Sequence, residues 1–130
     1  MKKELQIIQL LELLNALEKK ISNSFRIDPG VTLSQFRALD IISNHPMIRP
    51  SELSNLLGIT RASTSAILRD LETAELIEQL PDSKDKRSSL IKNTEYGEKR
   101  LDVCYQNLEI LDKKLFKKNI QSVTELIKLF

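Results

Sequence analysis

The stretch "GITRASTSAILRDL", residues 58–71, decides how the rest of the chain is read. Gly58 breaks one helix, and Thr60 offers the side-chain oxygen that caps the next. Within that next helix Thr64, Ile67, Leu68 and Leu71 recur with the period of a buried face. Ala62, Ser65, Ala66 and Arg69 fall at i, i+3, i+4 and i+7 on the opposite side. An ordinary exposed helix face carries Glu and Lys, whereas this one is low and has Arg61 and Arg69 near its ends. A low face lets the backbone approach something closely, and arginines at its ends suit an anionic partner. A major groove about 12 Å wide would admit it. A small-residue face packed against another helix is the competing explanation.

The flanking residues favour the first explanation. Upstream, Pro50 opens a helix whose expected buried side is Leu53, Leu56 and Leu57, so residues 50–71 read as two helices joined by a glycine turn, a helix-turn-helix. Before it, Thr32 and Gln35 form a capping box, with Val31 and Phe36 spaced as a hydrophobic staple. Phe36, Leu39 and Ile42 face inward, and His45–Pro46 ends that helix, with His45 a helix-end residue. Downstream, apolar runs at Leu76–Leu80 and Leu90–Ile91 enclose the charged tip "SKDKRS", which reads as a β-hairpin. A hairpin directly after a helix-turn-helix is a wing, and Lys84, Lys86 and Arg87 would then flank a duplex. A solvated charged loop is the plainer alternative.

The ends of the chain are rich in Leu and Ile. Residues 4–25 form an expected helix in which Leu10, Leu14, Leu17 and Ile21 make one stripe, widened by Leu5, Ile7, Ile8, Leu11 and Leu13. That exceeds the roughly 100° stripe a monomer needs. "DPG" at 28–30 closes it with turn residues. A second long helix over 95–118 carries Leu101, Cys104, Leu108, Leu111 and Leu115 at near-heptad spacing, and a short last helix carries Val123, Leu126, Ile127 and Phe130. Both ends together suit an intertwined homodimer, with Leu10, Leu14, Leu17, Leu108, Leu111, Leu115 and Ile127 as its candidate contacts. The expected organisation is therefore a single, mainly α domain with a β-hairpin wing: an N-terminal dimerisation helix at 1–30, a winged helix-turn-helix at 31–97 and C-terminal dimerisation helices at 98–130.

Composition narrows the function classes. The 130 residues are 41% hydrophobic and 29% charged, which is globular, and no apolar run approaches the roughly 18 residues of a membrane span. Glu4, Glu12 and Glu18 interrupt the N-terminal apolar segment and argue against a signal peptide. One cysteine precludes an internal disulfide and fits a reducing cytoplasm; one histidine gives little basis for a metal site. No catalytic triad or glycine-rich phosphate loop can be assembled, so neither an enzyme nor a cofactor is expected. The net charge of +2 says little about nucleic acid, and residues 31–97 carry 8 basic against 9 acidic groups. Basic charge is instead local: two arginines and no acid at 60–69, and Lys84, Lys86, Arg87 and Lys92 against Asp85 alone at 83–92.

These segments together resemble the MarR family of winged helix-turn-helix regulators. The resemblance runs from "LSQFRALDII" through "RPSELSNLLGITRASTSAILRDLETAELI" to "LPDSKDKRSSLIKNTEYGEKRL", with "DKRS" followed by "TEYG" its most specific part. It implies a cytoplasmic prokaryotic homodimer, nucleoid-associated when bound, acting as a repressor on pseudo-palindromic promoter DNA and released by a small aromatic effector. It also implies that Asp85 holds Arg87 for the minor groove, where a narrow groove concentrates negative potential. Candidate DNA contacts are Thr60, Arg61, Ala62, Ser63, Ser65, Ala66 and Arg69 on the helix, and Lys84, Asp85, Lys86 and Arg87 on the wing. Cys104, within an apolar stripe, reads as a packed thiol rather than a sensor.

Four positions depart from the family pattern: Glu75 replaces a helix-ending glycine, Gln79 an arginine, Asn93 a leucine, and Arg49 a Ser or Thr cap. They put the exit turn and the packing of the second wing strand in question. The competing function is a winged-helix module that docks a protein partner and binds DNA weakly, which the slight acidity of the middle segment would suit.

Overall fold

In a computed structural model, the described residues are Lys3, 5–26, Asp28, 30–116 and 120–129. They form α1 (Gln6–Phe25), α2 (Leu33–Asn44), α3 (Pro50–Leu57), α4 (Arg61–Thr73), β1 (Ile77–Pro81), β2 (Ser89–Asn93), α5 (Glu95–Phe116) and α6 (Ile120–Lys128). The expected parts at residues 117–118 and Phe130, and the side chains of Leu115, Phe116, Val123 and Leu126, lie outside what is described.

Local chemistry explains most boundaries. Thr32 accepts the Gln35 N–H at 3.1 Å while the Gln35 side chain accepts the Thr32 N–H at 3.0 Å, closing the expected capping box on α2. The backbone of His45 caps its far end. Pro50 occupies the first turn of α3, and Gly58, at φ 69°, ends it in the left-handed conformation that glycine adopts without strain. Thr60 accepts the Ser63 N–H at 3.1 Å to start α4. The three-residue turn between α3 and α4 thus follows from one glycine and one threonine.

The core gathers Leu39 and Ile42 of α2, Leu53 and Leu57 of α3, Leu68 and Leu71 of α4, Ile77 and Ile91 of the hairpin and Leu101 and Cys104 of α5. Leu56, expected on the buried side of α3, is instead 50% exposed. Ser54 completes that stripe in its place: its buried hydroxyl bonds Thr64 at 2.8 Å where α3 meets α4, so the polar group enters the core satisfied.

β1 and β2 pair antiparallel from Ile77 opposite Asn93 to Pro81 opposite Ser89. The second strand is longer than its apolar run suggests. It is also well anchored, contrary to the weak packing expected at Asn93: Ile91 is fully buried and its N–H donates to Ile48 at 2.9 Å. Asn93 donates to the Leu39 carbonyl at 2.9 Å and to Glu98 at 3.0 Å, tying the strand to α2 and α5.

Glu75 takes the place of the helix-ending glycine and adopts its conformation, at φ 62°. The N–H of Leu76 bonds Leu71 and that of Glu75 bonds Glu72, both at 2.9 Å, which is a complete Schellman closure built on a strained residue. Thr94 then caps α5, accepting the Gly97 N–H at 2.9 Å. Gly97 has a steric role: a Cβ there would overlap the Leu76 carbonyl oxygen and stand 2.9 Å from its carbon.

Candidate nucleic-acid interface

Capping and burial orient α4. With Thr64 fully buried and Leu68 nearly so, Arg61, Ala62, Ser63, Ser65 and Arg69 are exposed on the other side, as is Thr60 at the cap, while Ala66 is half-buried. The sequence reading of this face and its composition therefore agree with the geometry.

The wing supplies the facing wall. Lys84, Asp85, Lys86 and Arg87 are all exposed on the loop that joins β1 to β2. Arg61 and Arg69 from α4 and Arg87 from the wing line a single cleft of about 270 Å³, with Ser51, Ser65, Gln79 and Ser89 between them. Among the described residues none of these three arginines is engaged in an ion pair. Three unneutralised guanidinium groups around one polar cleft make a concentrated positive site in a chain of nearly balanced charge.

One expected detail differs. The family resemblance implies that the Asp85 carboxylate holds the Arg87 guanidinium. Both lie in the loop, since β2 begins at Ser89. Asp85 Oδ1 accepts the backbone N–H of Arg87 at 3.0 Å, and its carbonyl accepts the Ser88 N–H at 3.1 Å. Asp85 shapes the turn that presents Arg87, whose side chain forms no ion pair among the described residues, because a short Asx side chain reaches the backbone two residues on more readily than a long guanidinium.

The sequence reading missed the root of the wing. Asp82, at the start of the loop between the strands, is buried; its Oδ2 accepts from Arg49 Nε at 3.1 Å and Nη2 at 2.9 Å, and its Oδ1 accepts the Lys84 N–H at 2.9 Å. The Lys84 N–H first, and Arg49 after it, hold the Asp82 carboxyl below the usual carboxylate range despite its burial. Gln79 bridges the other flank, donating to Glu72 of α4 at 2.7 Å and accepting from Ser89 at 3.0 Å. The only hint of these links was that Arg49 and Gln79 depart from the expected residue types.

The terminal helices show the apolar excess. Leu14 and Ile127 are exposed, Leu10, Leu17, Leu108 and Leu111 are half-buried, and the Leu115 side chain is outside the described residues. Ile7, Ile8, Leu11, Leu13 and Ile110 are also exposed. Leu17, Ile21, Leu108 and Leu111 line an apolar groove of about 490 Å³ between α1 and α5. Cys104 is fully buried, and loss of solvation pushes its thiol up to about 11. Among the described residues no cluster of His, Cys, Asp and Glu could hold a metal ion, and no helix is long and apolar enough to cross a membrane.

Comparison with known proteins places this arrangement. The MarR family model matches residues 31–89. The multiple antibiotic resistance protein MarR of Escherichia coli is 28% identical over 98 residues, covering 75% of this chain and 68% of that protein. The HTH-type transcriptional repressor NicR of Pseudomonas putida is 31% identical over 75 residues, 58% of this chain and 48% of its own length. A crystal structure of a mutant E. coli MarR complexed with operator DNA is 26% identical, with a TM-score of 0.77 over 97% of each chain.

Proposed function

We propose that this chain is a member of the MarR family, whose model matches residues 31–89, and that it is a sequence-specific double-stranded DNA-binding transcriptional regulator, a cytoplasmic repressor that works as a homodimer on a pseudo-palindromic site. The observation that carries the reading is the cleft shared by Arg61, Arg69 and Arg87: groups from two separate elements converge, without an ion pair among the described residues, beside a helix face of small residues. Such a face allows close approach to base edges, while arginines at its border reach guanine or phosphate. Residues 31–97 form the DNA-reading unit, and residues 1–30 and 98–130 pair two copies. Each copy alone reads few base pairs, and two-fold pairing doubles the site.

Similarity to transcriptional regulators supports a non-enzymatic role. Release by a small aromatic effector rests on family membership alone, since the groove between α1 and α5 lies on the face a second copy would cover.

Selection of duplexes from a random-sequence pool, followed by mobility shifts at two salt concentrations, tests the proposal. A recovered pseudo-palindrome that stays preferred as salt rises is the expected result. Binding that falls equally for all sequences would instead leave only a diffuse basic patch.

A further inference from the structure

We propose that Arg49 and Asp82 form a latch that sets the angle of the wing and so delivers Arg87 to the cleft it shares with Arg61 and Arg69. This rests on the DNA-binding reading above and assigns a positioning role to two residues outside the groove-facing set.

The β-ladder ends at Pro81 opposite Ser89, so residues 82–88 project beyond it. Within that loop the bonds are mostly local: Arg87 and Ser88 N–H groups to Asp85, and the Asp82 N–H to the Ser88 carbonyl at 3.4 Å. Among the described residues the Arg49–Asp82 pair is the only hydrogen-bonded link from the loop to the helices. Gln79 and Ser89, on the other flank, act on the ladder itself. Arg49 immediately precedes Pro50, which opens α3 and lines the cleft. Asp82 therefore holds two things with one carboxylate: the first turn of the loop through Lys84, and the start of α3 through Arg49. Its side chain is 4% exposed against 44% for Arg49, so the acid is the fixed end of the latch. Two bonds from one guanidinium constrain direction as well as distance. A loop without that link would keep its turns but swing about the ladder, and Arg87 would sample many positions.

The two residues differ in what simple charge predicts. Removing Arg49 lowers positive charge, so weaker DNA binding would follow under either view. Removing the Asp82 charge makes the face more positive, and electrostatics alone predicts tighter binding. Positioning predicts the reverse. Asp82→Asn is the apt variant, because its amide oxygen can still accept the Lys84 N–H while the ion pair is lost.

The test uses a duplex selected from a random pool by the wild-type protein, a scrambled duplex of equal length, and fluorescence anisotropy at two salt concentrations. Asp82→Asn is expected to bind the selected duplex about tenfold more weakly, with the scrambled duplex held as well as before or better. In the Asp82→Asn background the further loss from Arg87→Ala should shrink, since the arginine is already misplaced. Full additivity, or tighter binding of the selected duplex, overturns the latch. Without DNA, amide exchange at Arg87 and Ser88 should quicken in Asp82→Asn while Leu39 and Leu101 keep their protection; unchanged loop exchange also overturns it. A wild type that selects no duplex, with loop exchange nonetheless quickened, would leave the latch standing as a structural link and sink the DNA reading on which its purpose depends.

Discussion

Glu75 and Gly97 meet the same turn in opposite ways. Glu75 holds a left-handed conformation that costs an L-residue about 1 kcal/mol or more, and among the described residues its exposed side chain forms no ion pair that offsets this. Glu75→Gly should raise stability by about 0.5–1 kcal/mol in urea denaturation, the relief being partly offset by glycine's greater freedom when unfolded. Gly97→Ala should do the reverse, costing on the order of 3 kcal/mol, because the obstacle is the Leu76 backbone and no rotamer change can clear it. A melting temperature within a degree of the wild type would show that the start of α5 can shift freely. Cys104 is buried with its thiol raised to about 11 by desolvation, so it stays protonated at neutral pH. Maleimide labelling should be slow in the native protein and fast in denaturant, and Cys104→Ser should leave DNA affinity unchanged with and without peroxide. The sign with pH follows from the raised value: the contribution of the neutral, buried thiol is complete below about 9 and declines as pH rises toward 11.

At the level of elements, helix limits were legible because their determinants are local. Thr32 with Gln35, Pro50, Gly58 and Thr60 each act within four residues of a boundary, and each does what its chemistry suggests. The face of α4 was legible for the same reason, since helical periodicity alone separates Thr64 and Leu68 from Ser65 and Arg69. The wing root was not legible: Arg49 and Asp82 are separated by 33 residues, and nothing in either neighbourhood announces the other. Nor was the role of Asp85, where two acceptable geometries for one carboxylate compete and the backbone wins. Loss of Arg87 should lower affinity for a selected duplex by about 2–4 kcal/mol per dimer, counting one groove contact on each wing, with little change in melting temperature. Asp85→Ala should also weaken binding although it removes negative charge, because the turn presenting Arg87 relaxes; tighter binding at moderate salt would reject that role. Loss of Arg61 or Arg69 should cost about 1–3 kcal/mol and relax preference at one position per half-site if the contact is to guanine. A uniform loss over all sequences would assign that arginine to phosphate.

For the whole molecule, the exposed apolar side chains of α1, with Ile110 and Ile127, are too many for a monomer to leave in water. Sedimentation at micromolar concentration should give twice the 14.9 kDa chain mass, and a folded monomer there would contradict the paired arrangement. In such a pair the joint at Gly97 acquires mechanical meaning. Most helices rest on their neighbours through a layer of side chains that can change rotamer and absorb small displacements. Here the first turn of α5 bears directly on the peptide that follows α4, so the joint has no padding. In the proposed dimer a tilt of α5 would reach α4 with little slack, like a lever on a rigid pivot. The spacing between the two copies of α4, which in the proposed complex would match about one turn of duplex, would then be governed at a distance by whatever moves the far ends of α5.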